Sequence, residues 1–275
     1  MYNKKKILKI LNVFIFLIGF SVCCYPFISS MIQSKGQKDI ISTYESYIED
    51  FDKMNIQEEL KQVEEYNNVL FQSKGYLIDG ETASILSQEH YEDLLDISGS
   101  GMMGSIEIPK INVYLPIYHG VSDSVLSNSI GHLEGSSLPI GGNNTRTVLT
   151  GHRGLPNAKL FTRLDELEEN DLIYLHVLNE TLAYKVIEID VIEPEDLSWI
   201  QIESDQDLVS LVTCTPYGIN THRLVVTGER VAYEKAEYET LKPEIMSIRE
   251  LIFIGIPFLF LGVSVIYTFR RRTCR

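Results

Sequence analysis

The sequence predicts a mainly β domain, a closed or nearly closed antiparallel barrel, carried between two membrane-spanning helices. Three observations lead there. Two uncharged apolar stretches of membrane length lie near the two ends of the 275-residue chain. Its second half holds several short segments of strand character, separated by turn residues. Between the first apolar stretch and these strands, apolar residues recur at helical spacing in an acidic region.

Residues 1–29 are expected to be a basic tail and an anchor. Residues 10–28 carry no charge and follow Lys4, Lys5, Lys6 and Lys9. Nineteen residues at about 1.5 Å each span roughly 28 Å, about the thickness of a hydrocarbon core. No Ala-x-Ala type cleavage site follows, only Ser29 and Ser30, and Phe20 and Val22 suit a lipoprotein signal poorly. The segment is therefore expected to stay as an anchor, not to leave as a signal peptide. Residues 251–269 are equally uncharged and are followed by a tail, 270–275, containing Arg270, Arg271, Arg272 and Arg275. Pro257 kinks such a helix without excluding it. Both basic clusters flank their spans on the outer side. The positive-inside rule then places both termini in the cytoplasm and residues 29–250 outside.

The chain carries a net charge of −14; its two tails hold eight basic residues and no acid, which leaves −22 for the segment between them. That balance argues against nucleic acid or anionic lipid as partner of the middle domain, and a solvated acidic surface accounts for it. No acidic loop of EF-hand spacing appears, and the sequence calls for no metal and no cofactor.

Residues 30–98 read as a helical segment. Ile40, Tyr44, Tyr47, Ile48 and Phe51 form one apolar stripe, and Leu60, Val63, Tyr66 and Leu70 a second. A third short helix is expected over 88–95. The stripes are expected to pack on the main domain. Between the second and third helices, Gln72-Ser73-Lys74-Gly75-Tyr76-Leu77-Ile78-Asp79-Gly80-Glu81 is a loop by its glycines and polar residues. From Gly104 the texture changes. Ile106-Glu107-Ile108 and Val113-Tyr114-Leu115 are short strands parted by Pro109 and Asn112. Thr147-Val148-Leu149-Thr150 follows a glycine-rich turn. The clearest pair is 172–177 with 182–191, joined at Asn179-Glu180, and 207–213 with 224–231 completes the set. Leu160, Phe161, Leu164 and Leu167 have helix spacing and predict a helical insertion. The barrel domain thus covers 99–232, about 135 residues and enough for one core. Residues 233–250 link it to the second span.

Cys214 is the only cysteine between the spans, since Cys23 and Cys24 lie in the first and Cys274 in the final tail. A lone thiol in an oxidising compartment is a liability unless it has a use. It ends the apolar run Leu208-Val209-Ser210-Leu211-Val212 and opens a Thr215-Pro216-Tyr217-Gly218 loop. Two readings stand: a nucleophile held rigidly at a strand end, and a buried cysteine serving as a small apolar residue. A thiol of ordinary pKa, about 8.5, needs a base or cation to act as a nucleophile at neutral pH. Of six histidines, His176 lies in a strand and reads as structural, and His90 belongs to the acidic helix. His119 and His132 flank a polar loop and have no assigned role. His152 follows a strand within Gly151-His152-Arg153-Gly154, where glycines permit tight turns and close approach. Arg223 opens the strand expected to pair with the one ending at Cys214. It is either a cation placed beside the thiol, suited to stabilise an oxyanion, or a surface residue in a weak ion pair.

Three separated motifs together carry a resemblance. Thr150-Gly151-His152-Arg153-Gly154-Leu155-Pro156, Thr213-Cys214-Thr215-Pro216-Tyr217-Gly218 and Asn220-Thr221-His222-Arg223 resemble the signatures of the sortases. They are most similar to those of class C, the pilus-assembling type, as are the stretch 106–120 and His132-Leu133-Glu134-Gly135. The match runs over roughly residues 90–232, and the two flanking spans also fit class C. The resemblance implies an eight-stranded sortase-type barrel and a cysteine transpeptidase at the outer face of a Gram-positive cell membrane. It makes Cys214 the nucleophile, His152 the acid/base, Arg223 the oxyanion or substrate-orienting residue, and His222 a bystander. It places Thr213 at the substrate groove. Substrates would carry an LPxTG-like signal, cleaved between Thr and Gly, with the acyl group passing to a lysine of a pilin subunit. One departure concerns the lid that class C members anchor through an Asp-Pro-aromatic motif. Here Asp79-Gly80-Glu81 stands in its place, lacking the proline and the ring. Asp79 remains the candidate lid residue, and the loop 72–84 is expected to cover the site loosely or not at all. The alternatives are a sortase that anchors surface proteins to peptidoglycan and a non-catalytic, membrane-tethered binding barrel.

Overall fold

A computed structural model describes residues 2–51, 53–73, 85–155 and 158–240, with short stretches between 251 and 262. Most of the candidate lid, including Asp79, and much of the second span lie outside the described residues.

Helix α1 (Tyr2–Asp50) runs unbroken from the basic tail through the first apolar stretch into the acidic region, with Pro26 inside it. It is long and apolar enough to cross a membrane. Its inward face is shifted from the expected stripe. Gln37, Ile41, Tyr44 and Ile48 are buried, at helical steps of four, three and four, whereas Ile40 and Tyr47 are exposed. The true stripe admits a polar residue, Gln37, because its amide finds a partner: it donates to the Asn128 carbonyl at 2.6 Å. Helix α2 (Lys53–Gln72) buries Ile56, Val63, Tyr66 and Asn67, and Leu60 and Leu70 pack partly against the core. The Asn67 amide pins it to the barrel, donating to the Leu138 carbonyl at 3.1 Å and accepting from the Leu138 N–H at 2.7 Å. Helix α3 (Gln88–Asp93) is capped by Ser87, whose side chain accepts from the His90 N–H.

Eight strands follow: β1 (Met102–Ile108), β2 (Val113–His119), β3 (Ile130–His132), β4 (Thr145–Thr150), β5 (Leu172–Val177), β6 (Glu180–Ile192), β7 (Asp207–Thr215) and β8 (His222–Val231). They close in the order β1-β2-β3-β4-β7-β8-β6-β5. The barrel is not purely antiparallel as expected, because β2 pairs β3 and β4 pairs β7 in parallel. Parallel neighbours need crossover connections. A short helix α4 (Asp123–Leu126) makes the first, and the whole β5–β6 hairpin lies within the second. The turn between β5 and β6 falls one residue earlier than expected, on Leu178 and Asn179, with Val177 opposite Glu180. The expected helical insertion is also different. Leu160, Phe161, Leu164 and Leu167 are all buried, but only a single 3-10 turn, Leu164–Glu166, forms among them. Leu160 has φ of 32°, which stops a helix at that point. After β8, helix α5 (Lys235–Thr240) folds back onto the barrel wall. Tyr238 there donates to Glu107 at 2.7 Å, and its ring meets that of Tyr174 edge-on at 5.0 Å.

The two unassigned histidines are structural. His119 puts one ring nitrogen 2.9 Å from the Gly101 carbonyl and the other 2.8 Å from that of Leu94. It ties the end of the helical segment to β1 and β2. His132 is fully buried. Its Nε2 lies 2.9 Å from the Ser137 carbonyl and so donates to it, while Nδ1 accepts from the Tyr91 hydroxyl at 2.9 Å. That arrangement suits the neutral ring, and burial pushes its pKa down to about 4. An unfolded chain takes up the same proton near 6.5. Between those values the unfolded state binds more protons, so stability must fall as pH drops. We expect His132 to contribute a loss on the order of 3 kcal/mol between pH 6.5 and 4. Urea midpoints of the wild type and of His132→Gln across that range check it. Parallel curves would show that other groups carry the acid sensitivity.

Candidate active site

The site is assembled by main-chain pairing. β7 lies between β4 and β8. It runs parallel to β4 with Thr150 opposite Val212, and the Gly151 N–H continues the ladder to the Val212 carbonyl at 3.1 Å. One step further, the Thr213 hydroxyl donates to the Gly151 carbonyl at 2.7 Å. Counting on in the same register sets His152 abreast of Cys214. On the other side β7 runs antiparallel to β8, with Cys214 directly opposite Arg223. Directly opposed residues share one face of a sheet.

Strand alternation says which face. Val209, Leu211 and Val226 belong to the main core, whereas Val148, Val212 and Val225 form a second small cluster under Leu133, Ile192, Trp199 and Ile200. Cys214 has the parity of Val212, Arg223 that of Val225 and His152 that of Val148. The three residues therefore sit on the outer face of the β4–β7–β8 wall, at the end where β4 and β7 finish and β8 begins. All three are half-buried, and Cys214 is a free thiol. Thr213, expected at the groove, is buried behind it, with its hydroxyl bound to Gly151.

The loop that carries His152 is fixed from several directions. Arg153 is buried and forms an ion pair with Asp165 at 2.5 Å. It also donates to the Thr215 hydroxyl at 3.2 Å, and its guanidinium lies 5.8 Å from the centroid of the Tyr217 ring. The residue after His152 thus grips the residue after Cys214. The His152 carbonyl accepts from the Phe161 N–H at 3.2 Å, so the 158–167 segment backs the loop. Gly151 packs so closely that a Cβ there would lie 2.6 Å from Ile130 Cδ1 and 2.8 Å from Phe161 Cδ2. Gly154 has φ of 86°, and its Cβ would meet the Tyr217 ring at 3.2 Å.

Arg223 donates to the His222 carbonyl at 3.1 Å, and among the described residues it has no carboxylate partner. Its charge is thus left for this face of the wall. His222 is drawn to the rim, 3.2 Å from Glu193 and 2.8 Å from the Thr221 hydroxyl. His176 sits on β5 with Glu107 and Thr181, on the flank that receives α5. Chemically, the arrangement offers a thiol at a strand end with an imidazole on one side and a fixed cation on the other. Arg153 and Asp165 did not stand out in the sequence. The signal for them is weak: an arginine beside the key histidine, which burial obliges to find an acid.

Ile130 and Phe161 are themselves fully buried, so neither yields easily to a side chain at Gly151. We expect Gly151→Ala to lower stability by about 1–3 kcal/mol and to displace the loop bearing His152. Denaturant midpoints and the rate of Cys214 alkylation test this. An unchanged midpoint with unchanged alkylation would show that the packing gives way freely.

Comparisons with known proteins point to the sortase family. The family model for the sortase domain matches residues 106–231. The crystal structure of sortase C1 from Streptococcus agalactiae is 43% identical, with a TM-score of 0.65, covering 71% of this chain and 100% of that one. Sortase C from Clostridium perfringens, solved with the C-terminal cell wall sorting motif, is 41% identical with a TM-score of 0.60, covering 71% and 99%. Among curated proteins, sortase D of Bacillus subtilis is 32% identical over 131 residues, which is 46% of this chain and 63% of that protein. Sortase A of Streptococcus agalactiae is 28% identical over 151 residues, 54% of this chain and 58% of that protein. The matched part thus spans less than two thirds of these curated relatives.

Proposed function

We propose, from the premise that this chain belongs to the sortase family, that its barrel is a cysteine transpeptidase of the pilus-assembling type. The observation that carries the reading is the register that brings residues 152, 214 and 223 to one face at one end of the wall. Cys214 as thiolate attacks the threonine carbonyl of an LPxTG-like signal. The carbonyl becomes an oxyanion, and Arg223 supplies the positive charge that stabilises it. Collapse breaks the bond to glycine, and His152 protonates the departing amine. The thioester left on Cys214 is then attacked by a lysine amine of a pilin subunit, giving an isopeptide bond and the free thiol. Acyl transfer to an amine in preference to water requires a groove that admits lysine and limits water. Thr213 acts through Gly151, holding the His152 loop against β7.

The class C assignment draws on the solved neighbours, which are named as C-type sortases. The placement in the membrane draws on the basic residues outside both apolar stretches. The edge-on contact of the Phe20 and Phe258 rings, 5.8 Å apart, also fits two spans standing side by side. On this reading both termini are cytoplasmic and the barrel is extracellular. Asp79 is the residue by which the 72–84 loop would reach Arg223. Pilin and surface-protein substrates bearing the signal are the partners.

Incubation of the protein with an LPxTG-type peptide and hydroxylamine is expected to give the hydroxamate of the threonine fragment, with none from Cys214→Ala. A lack of cleavage by the wild type would leave a binding module. Arg223→Ala is expected to lower kcat/KM by about 10²–10³-fold. Arg223→Lys keeps the charge but loses the planar fork, and should fall between the two. Equal rates for Arg223→Ala and the wild type would remove Arg223 from the chemistry.

A further inference from the structure

We infer that Arg146, remote from the reacting atoms, is a positioning residue for recognition of the signal: it clamps the 193–206 segment onto the outer face of the wall and so fixes the apolar surface beside Cys214. That this surface receives an apolar residue of the signal rests on the transpeptidase reading above; the clamp itself rests on the contacts of Arg146.

The segment joins the end of β6 to the start of β7. Those ends lie at opposite ends of the wall, since Ile192 pairs with Arg223 at one end of β8 and Leu208 with Glu229 near the other. The segment therefore runs the length of the wall. It does so over the outer face, where Trp199 and Ile200 pack on Val148, Val212 and Val225. Several of its hydrogen bonds stay within it. The Asp196 N–H reaches the Glu193 carbonyl at 3.2 Å, the Ile200 N–H that of Leu197 at 3.3 Å, and Trp199 Nε1 donates to the Asp196 carbonyl. Its far end is fastened to the start of β4. The Asp205 N–H donates to the Asn144 side chain at 2.8 Å, and the Gln206 carbonyl accepts from the Thr145 N–H at 3.1 Å.

Arg146 reaches the middle of the segment from β4. It pairs with Leu208, as Val148 pairs with Ser210, so it shares the outer face with Val148, Ser210 and, by alternation, Val212 and Cys214. It is buried. One terminal nitrogen donates to the Trp199 carbonyl at 3.1 Å and to the Ser210 hydroxyl at 3.0 Å, and the other donates to Glu203 at 2.6 Å. The segment is thus held to β7 at Trp199 and again at Glu203. The remaining nitrogen, Nε, is buried with no acceptor among the described residues. Burying a guanidinium with one donor unmet is costly, and a packed apolar side chain would fill the space at lower cost. What the arginine adds is direction: its planar fork, met by a carbonyl, a hydroxyl and a carboxylate, fixes where the Trp199 backbone stands.

The surface so fixed is close to the chemistry. Val212 lies two residues before Cys214 on the same face, roughly 7 Å along the strand. In an LPxTG-like signal the leucine stands three residues before the threonine that is attacked, about 10 Å in an extended chain. Trp199 and Ile200 pack against the cluster that contains Val212, and so offer apolar surface on that scale of distance. A surface free to swing would hold leucine weakly and tolerate a smaller residue, since discrimination between apolar side chains needs a pocket that keeps its shape.

The test compares the full chain in detergent micelles with Arg146→Met, Arg146→Lys and Glu203→Ala. Hydroxylaminolysis is followed for an LPxTG-type peptide and for the same peptide with alanine in place of leucine. Arg146→Met is expected to raise KM for the leucine peptide by roughly five- to tenfold with kcat little changed, because binding is lost and no reacting group is. Its preference for leucine over alanine should shrink several-fold. Arg146→Lys keeps the charge with a poorer fork and should fall between. Hydrogen exchange should quicken in 193–206 and not in β7 or β8. Glu203 is half-exposed, so Glu203→Ala should fold and act in the same direction more weakly. If Arg146→Met does not fold, the other two variants decide by the same measures. An unchanged leucine preference, or a fall in kcat with KM unchanged, would overturn the inference, because a merely structural arginine alters the amount of folded enzyme and not its selectivity. If the wild type yields no hydroxamate, the transpeptidase reading falls by itself. The clamp is then judged on binding of the two peptides and on exchange in 193–206, and equal exchange in wild type and variants would overturn it.

Discussion

Everything chemical in this molecule depends on the position of β7 between β4 and β8. Strand side chains alternate with a period of two, so a slip of one residue in either pairing would turn Cys214 away from its partner. The register is held by main-chain bonds along Thr145 to Thr150 on one side and Leu208 to Thr215 on the other. The valines of both faces reinforce it, with Val209 and Leu211 in the main core and Val212 in the outer cluster. The placement of these residues is thus a property of the barrel wall, and they need few contacts of their own to stay in place.

The two residues proposed to act with Cys214 arrive at different entropic levels. Arg223 arrives through a hairpin, a local event. His152 arrives through a parallel pairing that encloses β5, β6 and the segment after it, a long loop by comparison. Closure entropy grows only slowly with loop length, but a long-range pairing needs more to hold it true at its end. The extra devices are found there and not on the Arg223 side. Gly151 lets the loop press onto Ile130 and Phe161, Thr213 extends the ladder by a side chain, and Arg153 ties Asp165, Thr215 and Tyr217 together. An ion pair such as Arg153–Asp165, its guanidinium buried but its carboxylate on an exposed residue, contributes little net stability, because solvent screens it. Its value lies in geometry: the guanidinium fork fixes where the residue beside His152 stands relative to the residue beside Cys214.

These differences explain what was legible in the sequence. The hairpin pairing of Cys214 with Arg223 followed from two adjacent apolar runs and a short loop, and His152 stood out at a strand end between glycines. The strands themselves followed from short apolar runs parted by turn residues, apart from β3, whose three residues are too few to stand out. The parallel pairings were not legible, since strand residues look alike whichever way their neighbour runs. The phase of α1 was misread because apolarity pointed to Ile40 and Tyr47, whereas the buried face contains Gln37, whose partner at Asn128 lies far along the chain. The 158–167 segment had helix spacing but folds as an irregular plug of buried leucines and Phe161. The expected helix does not form there, because packing against the core settles side chains while backbone shape follows the space left between elements.

The same logic bears on why the helical segment is a strut and not a tether. A flexible linker of about 20 residues has a root-mean-square reach of roughly 25 Å and no preferred direction. A barrel on such a linker, with a charge of −22 between its tails, would drift away from any anionic surface. An unbroken helix removes that freedom at one end, and the contacts of Gln33, Gln37, Tyr44 and Glu45 along β1, β2 and the approach to β3 remove it along its length. The acidic charge then serves solubility without setting the distance to the membrane. The seat of the barrel on α1 becomes a consequence of which barrel wall receives the helix.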